Sequence, residues 1–136
     1  MRLGSEVNAI LLDILGGHER PTLAAILERL NAKCLESGVA APARATVYNF
    51  MAKTPGRSYR VGELPPSVQQ ALYNIDAQSE VPGRQLVFYC FNYGTSAAMM
   101  FAAGMPWLAL YQAARMRGFR DKSKGPLDAV ILARGI

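Results

Sequence analysis

The chain has two cysteines and one histidine in 136 residues, which removes several function classes at once. Cys34 and Cys90 lie far apart, and no C-x-x-C or H-x-x-x-H spacing places a second ligand beside either of them or beside His18, so no metal site and no cofactor is expected. Residues 1–6 lack the apolar run and small-residue cleavage site of a secretory signal, which points to a reducing, cytoplasmic setting with both thiols free. Also missing are a glycine-rich phosphate loop, a G-x-S-x-G elbow and a paired-carboxylate motif. Cys90 stands between Phe88, Tyr89 and Phe91 with no activating base nearby, the setting of a buried thiol and not of a nucleophile. The sequence therefore reads as a non-enzyme.

Charged residues make up only 18% of the chain and apolar ones 51%, so global disorder is excluded and there is material for a core. A membrane-spanning helix needs about 20 mostly apolar residues. The most apolar stretch, 96–114, is divided by Gly104 and Pro106 and followed by Arg115 and Arg117, which predicts two buried helices instead. The single Trp107 and the tyrosines read as core before they read as a ligand pocket.

What the chain does have is an excess of positive charge, +5, which favours an anionic partner. The cations fall in two groups. Arg44, Lys53, Arg57 and Arg60 lie together in sequence, and Arg115, Arg117, Arg120, Lys122 and Lys124 form a second set.

Hydrophobic spacing supplies the elements. Val7, Ile10, Leu11, Ile14 and Leu15 follow one buried helical stripe over 5–15, which Gly16 and Gly17 terminate. Pro21 and Thr22 open a second helix carrying Leu23, Ile26, Leu27 and Leu30, with Thr22 as its cap. A third helix runs from Pro42 to Lys53 and stops because Thr54-Pro55-Gly56 cannot continue it. Val47, Phe50 and Met51 give that helix an apolar face, leaving Arg44, Thr46, Tyr48, Asn49 and Lys53 pointing outward with groups suited to phosphates and base edges. The following segment, 56–62, carries Arg57 and Arg60 on either side of Tyr59. It reads either as a short β-segment of a wing or as a polar connecting loop.

Pro65-Pro66 marks a boundary between 1–64, a DNA-binding region, and 65–136, a strand-and-helix region for dimerisation or partner binding. In the second region a short helix is expected over 67–73, a turn-rich connector over 76–83, and the best strand of the chain over 86–91, apolar on both faces. Further helices follow over 96–103, from Pro106 to about Arg117, and from Leu127 to Arg134 after Gly125-Pro126. The fold class expected is mainly α with a small β component: a winged helix-turn-helix followed by a strand and a helical C-terminal half.

The run Arg20-Pro21-Thr22-Leu23-Ala24-Ala25-Ile26-Leu27-Glu28-Arg29-Leu30, followed after a loop by Ala45-Thr46-Val47-Tyr48, resembles the winged helix-turn-helix of bacterial transcriptional regulators, most closely the ferric-uptake-regulator type. The resemblance covers the first half of the chain. It implies that Thr46 and Tyr48 face DNA, while Asn49 stands where the family usually has arginine; the metal-sensing residues of that family have no counterpart here. The expected function is a homodimeric DNA-binding repressor, in which Arg44, Lys53, Arg57 and Arg60 hold phosphates and Thr46, Tyr48 and Asn49 read bases. The alternative is a protein-interaction module of the antitoxin or adaptor type built on the apolar C-terminal half. RNA binding is weaker, because exposed aromatics that could stack bases are not obvious in the sequence.

Overall fold

A computed structural model of the chain describes residues 4–15 and 23–136. The glycine stop at Gly16 and Gly17, His18, and the Pro21-Thr22 helix start lie outside the described residues. The first helix, α1 (Ser5–Leu15), buries Val7, Leu11, Ile14 and Leu15, the stripe its spacing dictates. It packs against α2 (Leu23–Glu36), which contributes Ile26, Leu30 and Cys34 to the same cluster.

Gly38 ends α2. At φ 73 it takes the left-handed conformation that costs glycine nothing, and the Val39 N–H reaches back to the Cys34 carbonyl at 3.0 Å while the Gly38 N–H reaches Leu35. The chain then turns through 39–43 into α3 (Arg44–Lys53), which adds Val47 and Met51 to the same buried cluster.

The 56–62 segment contains a strand, β1 (Ser58–Arg60), followed by a 3₁₀ turn at Val61–Glu63. Its antiparallel partner is β2 (Glu80–Pro82), with Tyr59 opposite Val81 and Arg60 opposite Glu80. The expected turn-rich connector over 76–83 is thus partly strand. Between the two strands lies α4 (Pro66–Ala71), so the ribbon is closed by a helical excursion that buries Val68, Ala71 and Leu72.

The strand expected over 86–91 is a helix, α5 (Gly83–Tyr93). Leu86, Val87, Cys90 and Phe91 recur at i, i+1, i+4 and i+5, which places them on one side of a helix as readily as on two faces of a strand. Four helices cover that side: α5 contacts α4, α6 (Ser96–Ala103), α7 (Trp107–Ala114) and α8 (Asp121–Ala133), while Phe88 and Tyr89 are half-buried and Tyr93 is exposed. Tertiary packing overrides the β-preference of Val87, Phe88, Tyr89 and Phe91 here.

Two other boundaries move. Helix α7 ends at Ala114 and not near Arg117. The last helix begins at Asp121, six residues before Leu127, with Pro126 inside it. Proline lacks only one backbone donor, and at this position it leaves the Lys122 carbonyl without its intrahelical partner.

Helix α7 joins the two halves of the molecule. Trp107, Leu108 and Tyr111 belong to the cluster of α1, α2 and α3, whereas Ala109, Leu110 and Ala113 belong to the second cluster with Leu86, Val87 and Cys90. A helix apolar all round is a central helix, and each large side chain so buried contributes roughly 1.5–3 kcal/mol. Both β1–β2 pairing and α7 cross the expected boundary between residues 64 and 65. Farther out, Arg134 donates to the carbonyls of Ala103 (2.8 Å) and Met105 (3.0 Å), fastening the end of α8 to the end of α6. Among the described residues no helix is long and apolar enough to cross a membrane.

Candidate nucleic-acid interface

Helix α3 is held from below by α7. Buried Gln112 donates through Nε2 to the carbonyls of Met51 (2.9 Å) and Thr54 (2.8 Å), satisfying acceptors that the C-terminal turn of α3 leaves open. The Thr54 N–H donates to Phe50 at 2.8 Å, and Pro55 then prevents continuation. Next to Gln112 in the chain, Tyr111 stacks on the Trp107 ring one turn earlier at 5.1 Å with 16° between planes, and the Arg115 guanidinium lies 3.6 Å from the Tyr111 ring centre. This ladder stiffens α7 where α3 rests on it.

With the Val47 and Met51 side anchored, the rotation of about 100° per residue decides what α3 presents. Asn49 lies opposite the buried pair and is exposed, with exposed Ala45 and Lys53 beside it. Arg44 is exposed at the first position, its guanidinium 5.9 Å from the Tyr48 ring. Thr46 and Tyr48 are half-buried on opposite flanks, and Tyr48 packs against the N-terminal cluster. The expected reading set is therefore divided: Asn49 is central, and Thr46 and Tyr48 border it.

Arg57 and Arg60 are exposed on and beside β1. Alternation along the strand puts Arg57 and Tyr59 on one side, with the guanidinium 5.1 Å from the ring, and Arg60 on the other, across from Glu80. Burial raises the Tyr59 pKa, an effect that the neighbouring Arg57 charge partly offsets. Among the described residues, Arg44, Lys53, Arg57 and Arg60 take part in no ion pair, although Glu63 and Glu80 line the same polar hollow as Arg57 and Arg60. Lys53 thus lies beside Asn49, Arg44 stands at the first position of α3, and Arg57 and Arg60 adjoin the helix through the 54–57 turn.

The second basic group serves another purpose in part. Lys124 donates to the Ala114 carbonyl at 2.9 Å, closing the end of α7, and lies 3.6 Å from Asp128. Arg120 covers the Tyr93 ring at 4.6 Å, and its N–H donates to buried Asn92 Oδ1 at 2.9 Å. Here the fold gathers aromatics that the sequence disperses: Tyr73, Tyr93, Tyr89, Phe88 and Phe119 form a continuous series with centroid separations of 4.7–6.4 Å. Tyr73 is 66% exposed, so exposed aromatics do exist on this face. The i, i+4 spacing of Tyr89 and Tyr93 signals the cluster, but only once 83–93 is read as a helix.

Both cysteines are buried and free, and burial pushes the Cys90 thiol up to about 12, so it carries no thiolate near neutral pH. The chain matches no family model, no curated protein and no solved structure.

Proposed function

We propose that the chain is a DNA-binding transcriptional regulator that reads a major groove with the exposed side of α3 and acts as a homodimer. The observation that carries the proposal is the composition of that side: Asn49 outermost, with Arg44 and Lys53 on the same helix and Arg57 and Arg60 beyond its end, none of these cations in an ion pair among the described residues. Asparagine suits adenine N6 and N7, and unpaired cations suit phosphates. Thr46 and Tyr48 contribute at the flanks of the contact. The winged helix-turn-helix reading is supported by the order α1, α2, α3, β1. The proposal assigns no catalytic step.

Selection from a random duplex DNA pool tests it, with the native chain compared to one carrying Arg44→Ala and Asn49→Ala. Enrichment of a palindromic sequence by the native chain and its loss in the double variant is the expected result. Equal recovery with both chains contradicts the assignment of α3.

A second reading, a protein-interaction module, is favoured by one specific feature. Between α6 and α8 lies an apolar groove of about 260 Å³ bordered by Phe91, Met99, Met100, Pro126 and Val130, with Met100 itself 77% exposed and Leu132 of α8 83% exposed. Under that reading Met100→Glu abolishes function, whereas alanine at Arg44, Asn49 and Lys53 leaves it intact.

A further inference from the structure

The less buried side of α5, the residues after α4 and the loop before α8 together carry a face of aromatic rings and cations. Tyr89 and Tyr93 stand one turn apart on α5, Tyr73 follows α4, and Phe119 lies between α7 and α8. The three tyrosine rings are 5.4–6.4 Å apart, and Phe88, 6.0 Å from Tyr89, carries the series to Phe119 at 4.7 Å. Tyr73 is 66% exposed and Tyr93 38%, so two of these rings offer open surface to a partner.

The cations are brought to the rings by a fixed loop. Gly118 turns at φ 100, which glycine adopts without strain, and a Cβ added there would meet the Phe88 ring at 3.4 Å. Two residues on, the Arg120 N–H donates to buried Asn92 Oδ1 at 2.9 Å, and the Arg120 guanidinium stands over the Tyr93 ring at 4.6 Å. Contact with a ring face leaves guanidinium N–H donors available to a phosphate. Arg117, Arg120 and Lys122 are all exposed, share their segment with the single acid Asp121, and take part in no ion pair among the described residues. A platform already ordered loses little freedom on binding.

We infer that this face binds single-stranded nucleic acid, with unpaired bases stacking on Tyr73 and Tyr93 and adjoining phosphates held by Arg117, Arg120 and Lys122. Stacking on a side chain needs an open base face, which a duplex hides between its own base pairs. The rings therefore select a single strand over a duplex, and the unpaired cations select a polyanion over an uncharged peptide. Because every base has a flat face, the site tolerates different base sequences. It shares no residue with α3 or β1, so it is independent of the groove-reading proposal.

The full chain is titrated by fluorescence anisotropy with labelled oligothymidylate, oligouridylate and an abasic deoxyribose-phosphate strand, each of about 12 nucleotides, and with a polyproline peptide. Saturable binding of thymidylate or uridylate is expected, and the tighter of the two identifies the strand as DNA or RNA. Tyr73→Ala weakens it at least about fivefold, Tyr73→Phe retains it, and the abasic strand binds at least about fivefold more weakly. Tyr73→Ala is verified as folded by its urea midpoint. Arg117→Ala, at a second exposed position, makes the slope of log affinity against log salt shallower by about 0.7. No saturable binding of either base-bearing strand overturns the inference, as does uptake of the polyproline peptide in their place. So does an abasic strand bound as tightly, an affinity unchanged in Tyr73→Ala, or a slope unchanged in Arg117→Ala. The chain carrying Arg44→Ala and Asn49→Ala is expected to bind the single strands as the native chain does, which separates this result from success or failure of the α3 proposal; a loss there equal to that in Tyr73→Ala overturns the inference.

Discussion

At the scale of single residues, Gln112 does more than its composition class suggests. A buried amide in an otherwise apolar helix is costly unless its hydrogen bonds are made, and this one makes two, both to the end of α3. Replacing it with leucine keeps the volume and leaves the Met51 and Thr54 carbonyls without that donor. We expect a loss of about 1–3 kcal/mol by urea denaturation, with faster amide exchange concentrated in the last turn of α3. A loss spread evenly over the molecule, or none, contradicts the role given to Gln112. Nothing in the sequence around Gln112 announces this role. The partners lie 58 and 61 residues away, and only the packing of α7 beneath α3 brings them within reach.

At the scale of elements, legibility followed periodicity. Helix α1 has a single clean stripe, and its bounds are those that Val7, Leu11, Ile14 and Leu15 dictate. Helix α3 is equally plain from its one apolar face and the Thr54-Pro55 stop. Residues 86–91 are different, because an apolar run of that length has no polar face to reveal its period, and β-branched and aromatic content then favours a strand. The helix forms because four neighbours cover its buried side. Its start shows how close that packing is: a Cβ on Gly83 would lie 2.9 Å from the Ala109 Cβ, so α5 and α7 touch where only hydrogen fits. Gly83→Ala is expected to destabilise the chain by about 1–3 kcal/mol, even though alanine is the better helix former. A urea midpoint unchanged or raised by this substitution contradicts the close approach of the two helices. The beginning of α8 was hidden for another reason: Gly125-Pro126 reads as a start signal, yet Ser123 and Leu127 already share a buried side of a helix that begins at Asp121.

At the scale of the whole molecule, α7 makes one body of the α3 platform and the C-terminal helices, with Trp107 and Tyr111 in one core and Leu110 and Ala113 in the other. The positive charge of the chain, +5, is uneven in its use. Lys124 pairs with Asp128 and closes the end of α7, whereas Arg44, Lys53, Arg57 and Arg60 remain outside any ion pair among the described residues, Arg44 and Arg57 lying only beside the Tyr48 and Tyr59 rings. That difference is invisible in a count of lysines and arginines, and it is the basis for placing an anionic polymer against α3. The candidate residues were legible as a group, since the polar side of a short helix follows from its apolar one. Their ranking was not: Thr46 and Tyr48 are half-buried, Tyr48 against the N-terminal cluster, leaving Asn49 foremost.

The most direct measurement is the affinity of the full chain for duplex DNA as a function of salt, for the native sequence and for Arg44→Ala and Arg57→Ala. If these cations hold phosphates, log affinity falls linearly with log salt, and each substitution makes the slope shallower by about 0.9. An affinity flat across salt, or slopes identical in all three chains, contradicts the account of α3 and β1 as a DNA-contacting surface.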